Sequence, residues 1–149
     1  PIGYFAFPEP QVVAAFVLGS PPTLQLIDLA TEESKLIATN VGRSIHRIPG
    51  RPAASFIHKV SADEWMIKEV DAKGAVKDIV QAPKGREDYA WLADGTLVIS
   101  AGSKILARKP GVDADWREIG DFDALGLKDL TRLAPNGRGD QIAIVASPK

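Results

Sequence analysis

The chain has 149 residues, of which 45% are hydrophobic and 25% are charged, and its formal net charge is −1. This composition is typical of one globular domain, and the mixture of both charge signs argues against a broad electrostatic surface for nucleic acid or anionic lipid. The lack of cysteine excludes disulfides and thiol catalysis, and no apolar run approaches the roughly 20 residues of a membrane-spanning helix.

The first 40 residues predict a meander of four short β-strands. The run VVAAFVL (12–18) is apolar at every position, as in a strand that is covered on both faces. The following stretch TLQLIDL alternates apolar and polar residues, and TEES (31–34) predicts a hairpin tip. The predicted strands lie at 3–7, 11–18, 23–29 and 35–39.

The next two stretches repeat this meander. The second is divided by the turn sequences PGRP, SAD and DAKG, and the third contains Asp94-Gly95, a strong hairpin signal. The predicted strands of the second stretch lie at 44–48, 53–59, 64–70 and 76–81. Those of the third lie at 87–92, 96–101, 104–108 and 116–119.

The last part of the chain predicts only half of such a unit. Strands at 131–133 and 141–145 flank the turn PNGRGD. The preceding segment DFDALGLKDL (121–130) breaks the pattern, and Gly126 disfavours a helix there. We therefore predict a long loop between units, with at most one helical turn.

The four units recur at a nearly constant period. The turns between their first two strands contain Pro10, Gly50, Gly95 and Gly137, which are 40, 45 and 42 positions apart. A period of about 40–45 residues with several short strands is typical of β-propeller blades. We predict an all-β fold, a single partial propeller domain of about three and a half four-stranded blades. The blades lie roughly at 3–40, 43–82, 86–120 and, in part, 129–147.

The repeat resembles that of TolB-like propellers, which carry a WD40-like β-propeller repeat. The turn phrases LADG and APNG, each followed by an apolar strand, resemble the family's x-P-D-G-x turn, although IPGRP and PEPQ depart from it. The stretches TLQLIDLAT and EWMIKEVDA resemble its third strand. More closely, PIGYFAF, SIHRIPG and EDYAW resemble the C-terminal half of bacterial six-bladed TolB-like proteins.

Three and a half blades are too few to close a propeller, which has about four to eight. We therefore expect the rest of the ring to come from the same chain, from a second copy or from another chain. We also expect open blade faces and sheet edges at the two ends.

Polar and aromatic residues recur near the start of each unit's first strand. They are Tyr4, Arg43, His46, Glu87, Asp88 and Tyr89. By analogy with the repeat, these positions approach the central channel, whose mouth is the default binding site of such a fold. The alternative is that the two carboxylates only pair with Arg43 or cap turns. Adjacent strand residues face opposite sides, so the two carboxylates are not expected to form a close catalytic pair.

The sequence offers little for catalysis or metal binding. His46 and His58 are the only histidines, with no third ligand in view. Neither has a nucleophile in a G-x-S-x-G phrase beside it. We expect no catalytic residue, no metal and no cofactor.

The leading hypothesis is therefore a non-enzymatic binding scaffold. Resemblance to TolB-like envelope proteins implies a periplasmic or secreted location and a protein or peptide partner. The mixed charge and the short apolar runs predict no nucleic-acid partner and no membrane span. Two alternatives stay open, because the repeat serves many functions. One is an accessory propeller domain of a larger hydrolase or peptidase, and the other is a small-ligand-binding propeller.

Overall fold

The computed structural model describes residues 1–148 and consists almost entirely of antiparallel β-sheet. In that range, three sheets have four strands and one has two, and the strands follow chain order in every sheet. The prediction of an all-β fold made of four-stranded meanders is confirmed. The chain divides into two compact units, one over Pro1–Gly85 and the other from Arg86 onward.

The first sheet forms the N-terminal part of the first unit. Its strands are β1 (Ile2–Glu9), β2 (Val12–Val17), β3 (Thr23–Asp28) and β4 (Ser34–Thr39). Strand β2 is buried on both faces, since Val13 and Ala15 on one side and Ala14 and Phe16 on the other are all inaccessible. This burial explains its uninterrupted apolar sequence.

The second sheet completes the first unit. Its strands are β5 (Val41–Arg47), β6 (Ala53–Lys59), β7 (Trp65–Asp71) and β8 (Val76–Gln81). The two sheets share one apolar core. Phe16 and Leu24 contribute to it from the first sheet, and Ile45, Phe56 and Val70 contribute from the second.

The third sheet opens the second unit. Its strands are β9 (Tyr89–Trp91), β10 (Leu97–Ala101), β11 (Lys104–Arg108) and β12 (Arg117–Asp121). The first of these is shorter than predicted, because the ladder between β9 and β10 runs only from Tyr89 to Trp91. The prediction that this strand begins at Glu87 was therefore wrong.

The fourth sheet consists of β13 (Leu127–Pro135) and β14 (Ile142–Pro148). The predicted loop over 121–130 is partly wrong. A single 3-10 turn spans Asp123–Leu125 and ends at Gly126, which adopts a left-handed conformation, and the strand then begins at once. Leu130 is buried on this strand and joins a core with Val98 and Ile105 of the third sheet, so packing extends β13 beyond its predicted start.

The turn between the first and second strands has the same place in all four sheets. Pro10 lies in the two-residue turn between paired Glu9 and Val12. Gly50 and Gly95 have positive φ angles of 70° and 82°, a conformation that glycine adopts at little cost. In the fourth sheet, Gly139 has the positive φ angle, 73°, and Gly137 does not. The positions that define the repeat therefore share their place in the sheets but not one backbone conformation.

Candidate functional site

The first strands of neighbouring sheets pack together within each unit. Strand β1 packs against β5, and β9 packs against β13. Three of these four strands have irregular pairing, with register shifts in β1, β5 and β13. Bulges of this kind change the direction of side chains and are frequent beside functional sites. All the residues predicted from the sequence lie on or next to these first strands.

In the first unit, Tyr4 and Arg43 lie at the irregular positions. Tyr4 follows the register shift at the start of β1, and its ring makes an edge contact with Phe16 at 5.9 Å between centroids. Arg43 lies in the irregular segment between Val41 and Ile45 and is half-buried. The bulges therefore place an aromatic and a cationic side chain on two strands that pack against each other.

His46 belongs to a row of polar residues that crosses the second sheet. It pairs with Ser55, which pairs with Glu69, so the three share one face. The Ser55 hydroxyl is fully buried and donates to the His46 carbonyl at 3.3 Å. Glu69 is 7% exposed, and its carboxylate accepts a hydrogen bond from Arg51 at 2.7 Å. This row anchors the strands and leaves Ser55 inaccessible to a substrate.

In the second unit, Glu87 and Asp88 precede β9, and Tyr89 is its first residue. Glu87 is half-buried, while Asp88 and Tyr89 are buried, with exposed fractions of 6% and 1%. The Asp88 carbonyl accepts a hydrogen bond from the Ser100 amide at 3.0 Å. Asp88 is therefore held at the edge of the ladder by its backbone, with its carboxylate largely shielded from water.

Arg132 on β13 joins the candidate residues through its contact with Asp88, and the sequence did not suggest it. Its guanidinium Nη1 lies 3.6 Å from Asp88 Oδ1. Arg132 and Asp129 both have positive φ angles, 53° and 47°, and they coincide with the two register shifts of β13. A left-handed conformation is uncommon for residues other than glycine. Both residues lie where the ladder between β13 and β14 is irregular, and no local sequence signal marks them.

The pair can serve in recognition of a polar ligand. A guanidinium has five N–H donors in a planar arrangement, and the Arg132 side chain is 39% exposed, against 8% for Asp88. Asp88 can therefore orient Arg132 while the exposed part of the guanidinium meets a carboxylate or a carbonyl of a bound chain.

Neither histidine lies in a cluster typical of metal sites. Among residues 1–148, no group of three His, Asp or Glu side chains is arranged to hold a metal ion. Burial and the neighbouring Lys68 cation lower the pKa of His58 below its usual value. The described part of the chain also has no helix of the length and apolarity that a bilayer crossing needs.

Exposed apolar side chains lie on the two outer strands at one side of the first sheet. Phe5, Ala15, Gln25 and Leu36 pair in one row across the four strands and therefore share a face. Phe5 is 58% exposed, Leu36 is 57% exposed, and the Phe5 ring meets the ring of Phe7 edge-on at 5.7 Å. We call Phe5, Phe7 and Leu36 the aromatic face. It lies opposite the side of the sheet that forms the core.

Comparison with solved structures identifies the fold. TolB from Acinetobacter baumannii matches with a TM-score of 0.60 and 17% sequence identity, over 99% of this chain and 38% of that one. The chain has the fold of a TolB-like β-propeller fragment. The predicted resemblance is thus confirmed at the level of fold, and each four-stranded sheet is a propeller blade.

The comparison with TolB shows the fold of this chain and does not show its function. The chain spans 38% of the length of the TolB structure that it matches. No protein-family model matches the chain, and no curated protein matches it.

Proposed function

We propose that this chain is a non-enzymatic binding scaffold for a protein or peptide partner, which covers the aromatic face of the first blade. The observation that carries the proposal is the exposure of Phe5, Phe7 and Leu36 on one side of a sheet whose other side is core. Exposed apolar side chains that share one face are a feature of sites of protein interaction. Aromatic residues are also enriched at the centres of such interfaces.

The mechanism is passive. The blade is a rigid antiparallel sheet, so the two phenylalanine rings are held in place before the partner arrives and lose little conformational entropy on binding. Burial of the rings in a partner would provide most of the binding energy, and surrounding contacts would exclude water.

Residues on or next to the first strands supply a polar contribution to recognition under the same proposal. Tyr4, Arg43 and His46 provide it in the first unit. Glu87, Asp88 and Tyr89, with Arg132, provide it in the second. The resemblance to TolB-like proteins in the sequence supports a periplasmic or secreted location for this activity.

Site-specific photo-cross-linking tests the proposal. We would replace Phe5 with p-benzoylphenylalanine, which keeps an aromatic ring at that position, and irradiate cells that produce the chain. The expected result is a discrete protein adduct that disappears when Phe7→Glu is added.

The matched control places the same cross-linker at Leu125, which is 72% exposed and lies in the second unit. The proposal predicts no such adduct there. If Phe5 gives no adduct, or gives the same adducts as Leu125, the aromatic face is not a binding site.

A further inference from the structure

The turn that joins β13 to β14 contains the dipeptide Asn136-Gly137, and both of its residues are exposed. In this dipeptide a main-chain nitrogen can attack the side-chain amide of the preceding residue, because glycine has no Cβ to obstruct the approach. A Cβ added at Gly137 would meet nothing within 4 Å, so its surroundings are open. The other asparagine, Asn40, precedes the β-branched Val41.

The main-chain nitrogen of Gly137 is the potential nucleophile. Within residues 1–148 its N–H donates no hydrogen bond. By contrast, the Gly139 amide in the same turn donates to the Asn136 carbonyl at 3.1 Å. The Gly137 nitrogen therefore has no partner to lose when its proton leaves.

The side-chain amide of Asn136 is held by groups that fit such an attack. Its Oδ1 accepts hydrogen bonds from the main-chain amides of Asp140 and Gln141, at 3.2 and 3.4 Å. Its Nδ2 donates to Asp140 Oδ1 at 2.6 Å. Attack on the amide carbon places negative charge on the oxygen and, after proton transfer, positive charge on the leaving nitrogen. The main-chain donors stabilise the first charge, and the carboxylate stabilises the second.

The dipeptide Asp94-Gly95 could form the same cyclic product, but its environment differs. The Gly95 amide donates to the Leu92 carbonyl at 3.0 Å. The Asp94 carboxylate accepts hydrogen bonds from the amide and the hydroxyl of Thr96, both at 3.0 Å. These bonds hold the pKa of Asp94 below its usual value, and an ionised carboxylate is a poor electrophile. The structure therefore distinguishes two dipeptides that the sequence alone does not.

We propose that Asn136 is a site of spontaneous deamidation in the folded chain. The Gly137 nitrogen gives up its proton and forms a bond to Asn136 Cγ, the bond from Cγ to Nδ2 breaks, and ammonia leaves with that proton. Water then opens the cyclic imide at either of its carbonyl carbons, which gives aspartate or isoaspartate at position 136. The reaction goes beyond the proposed binding function. It involves only the turn and water, so it does not depend on what lies beside β14.

The product changes the hairpin. A carboxylate oxygen replaces the Nδ2 donor, so two carboxylates repel each other where Asn136 and Asp140 now share a hydrogen bond of 2.6 Å. Isoaspartate also lengthens the main chain in the turn, beside the hydrogen bond from the Asn136 amide to the Gln141 carbonyl at 2.9 Å. Both changes weaken the pairing of β13 with β14.

Peptide mapping of the full chain tests the proposal. The folded chain is incubated at mildly alkaline pH and digested with trypsin, which releases residues 133–138 and 87–104 as separate peptides. Relative to a sample digested without incubation, the acid form of 133–138 should accumulate and contain isoaspartate, detected with isoaspartyl methyltransferase. The peptide 87–104, which contains Asp94, should stay unmodified and is the internal control.

Two further variants separate the reaction from its consequence. Gly137→Ala should slow deamidation by roughly tenfold or more, because a Cβ obstructs the attacking nitrogen. Asn136→Asp reproduces one product and should speed amide hydrogen exchange over residues 142–147. This effect should shrink in an Asp140→Ala background, where no carboxylate opposes the new charge.

Three outcomes would overturn the proposed site: no acid form of 133–138 from the folded chain, an equal rate in Gly137→Ala, or isoaspartate forming at position 94 as fast as at position 136. Unchanged hydrogen exchange in Asn136→Asp would overturn the predicted effect on the hairpin.

Discussion

Arg132 contacts Asp88 although its own backbone adopts a left-handed conformation, which is unfavourable for arginine. Its guanidinium lies 3.6 Å from the buried carboxylate, while its φ angle is 53°. Left-handed conformations cost non-glycine residues energy, so the surrounding packing must hold Arg132 in place. The bulges of β13 thus lie where a cation meets a carboxylate that is shielded from water.

This relationship predicts a stability effect that depends on the charge of residue 88. Arg132→Ala should lower the free energy of unfolding by about 1–2 kcal/mol, because it removes the cation that faces a buried carboxylate. Urea denaturation followed by circular dichroism would measure the loss. Arg132→Lys is the matched control, since it keeps the charge and the backbone cost, and it should lose less.

A double-mutant cycle separates the ion pair from other effects of the substitution. In an Asp88→Asn background residue 88 carries no charge to attract the guanidinium, so Arg132→Ala should cost clearly less than it does in the parent chain. Equal costs in the two backgrounds would mean that Arg132 acts through packing or backbone conformation alone.

Substitution of two glycines in the repeat turns should have different effects on stability. Gly95 has a φ angle of 82° with open space around its Cα, and Gly137 has open space without a positive φ. Gly95→Ala should therefore destabilise the chain by about 1 kcal/mol through backbone strain alone. Gly137→Ala should be close to neutral. Thermal unfolding of the two variants would measure this, and a similar effect for both would show that the conformation of Gly95 is not what matters.

The lowered pKa of His58 predicts how the stability of the chain varies with pH. Its pKa in the folded chain is lowered from 6.5, first by burial and then by the Lys68 cation. At pH values between the folded pKa and 6.5, the unfolded chain therefore binds more protons than the folded chain. Neutral His58 thus contributes stability above pH 6.5, and this contribution is lost as the pH falls through the folded pKa.

Denaturation at two pH values measures this contribution. Between about pH 7.5 and about pH 5, the free energy of unfolding should fall more in the parent chain than in His58→Gln, which cannot titrate. His46→Gln is the control for the other histidine. An unchanged pH dependence in His58→Gln would contradict the assignment to His58.

The fold could be read from the sequence because local signals and tertiary packing agree. The strand β2 is apolar throughout because it is buried on both faces, and the hairpin at Asp94-Gly95 has the glycine that its left-handed position requires. The segment over 121–130 was misjudged because the signals conflict. Gly126 ends a helical turn, as its type suggests, but the burial of Leu130 extends a strand that no alternating pattern indicated.

The candidate site was only partly predictable, for a physical reason. Asp88 was singled out as a candidate by its position in the repeat, but its partner Arg132 lies 44 positions later, in the two-stranded fourth sheet. The left-handed conformation of Arg132 coincides with a bulge of β13, and arginine has no intrinsic preference for it. Sequence alone also could not distinguish the two sides of the first blade, since both carry phenylalanine.

The two sides of the first blade should differ in how much their phenylalanines stabilise the fold. Phe16 is 6% exposed and belongs to the core of the first unit, while Phe5 is 58% exposed on the aromatic face. Phe16→Ala should cost about 3–5 kcal/mol of unfolding free energy, because it removes a buried ring and leaves a cavity. Phe5→Ala should cost less than about 1 kcal/mol in the isolated chain, where its ring is mostly in water. Chemical denaturation of the two variants measures the contrast directly. A large loss for Phe5→Ala would mean that its ring stabilises the blade itself, and the aromatic face would then no longer be available to a partner.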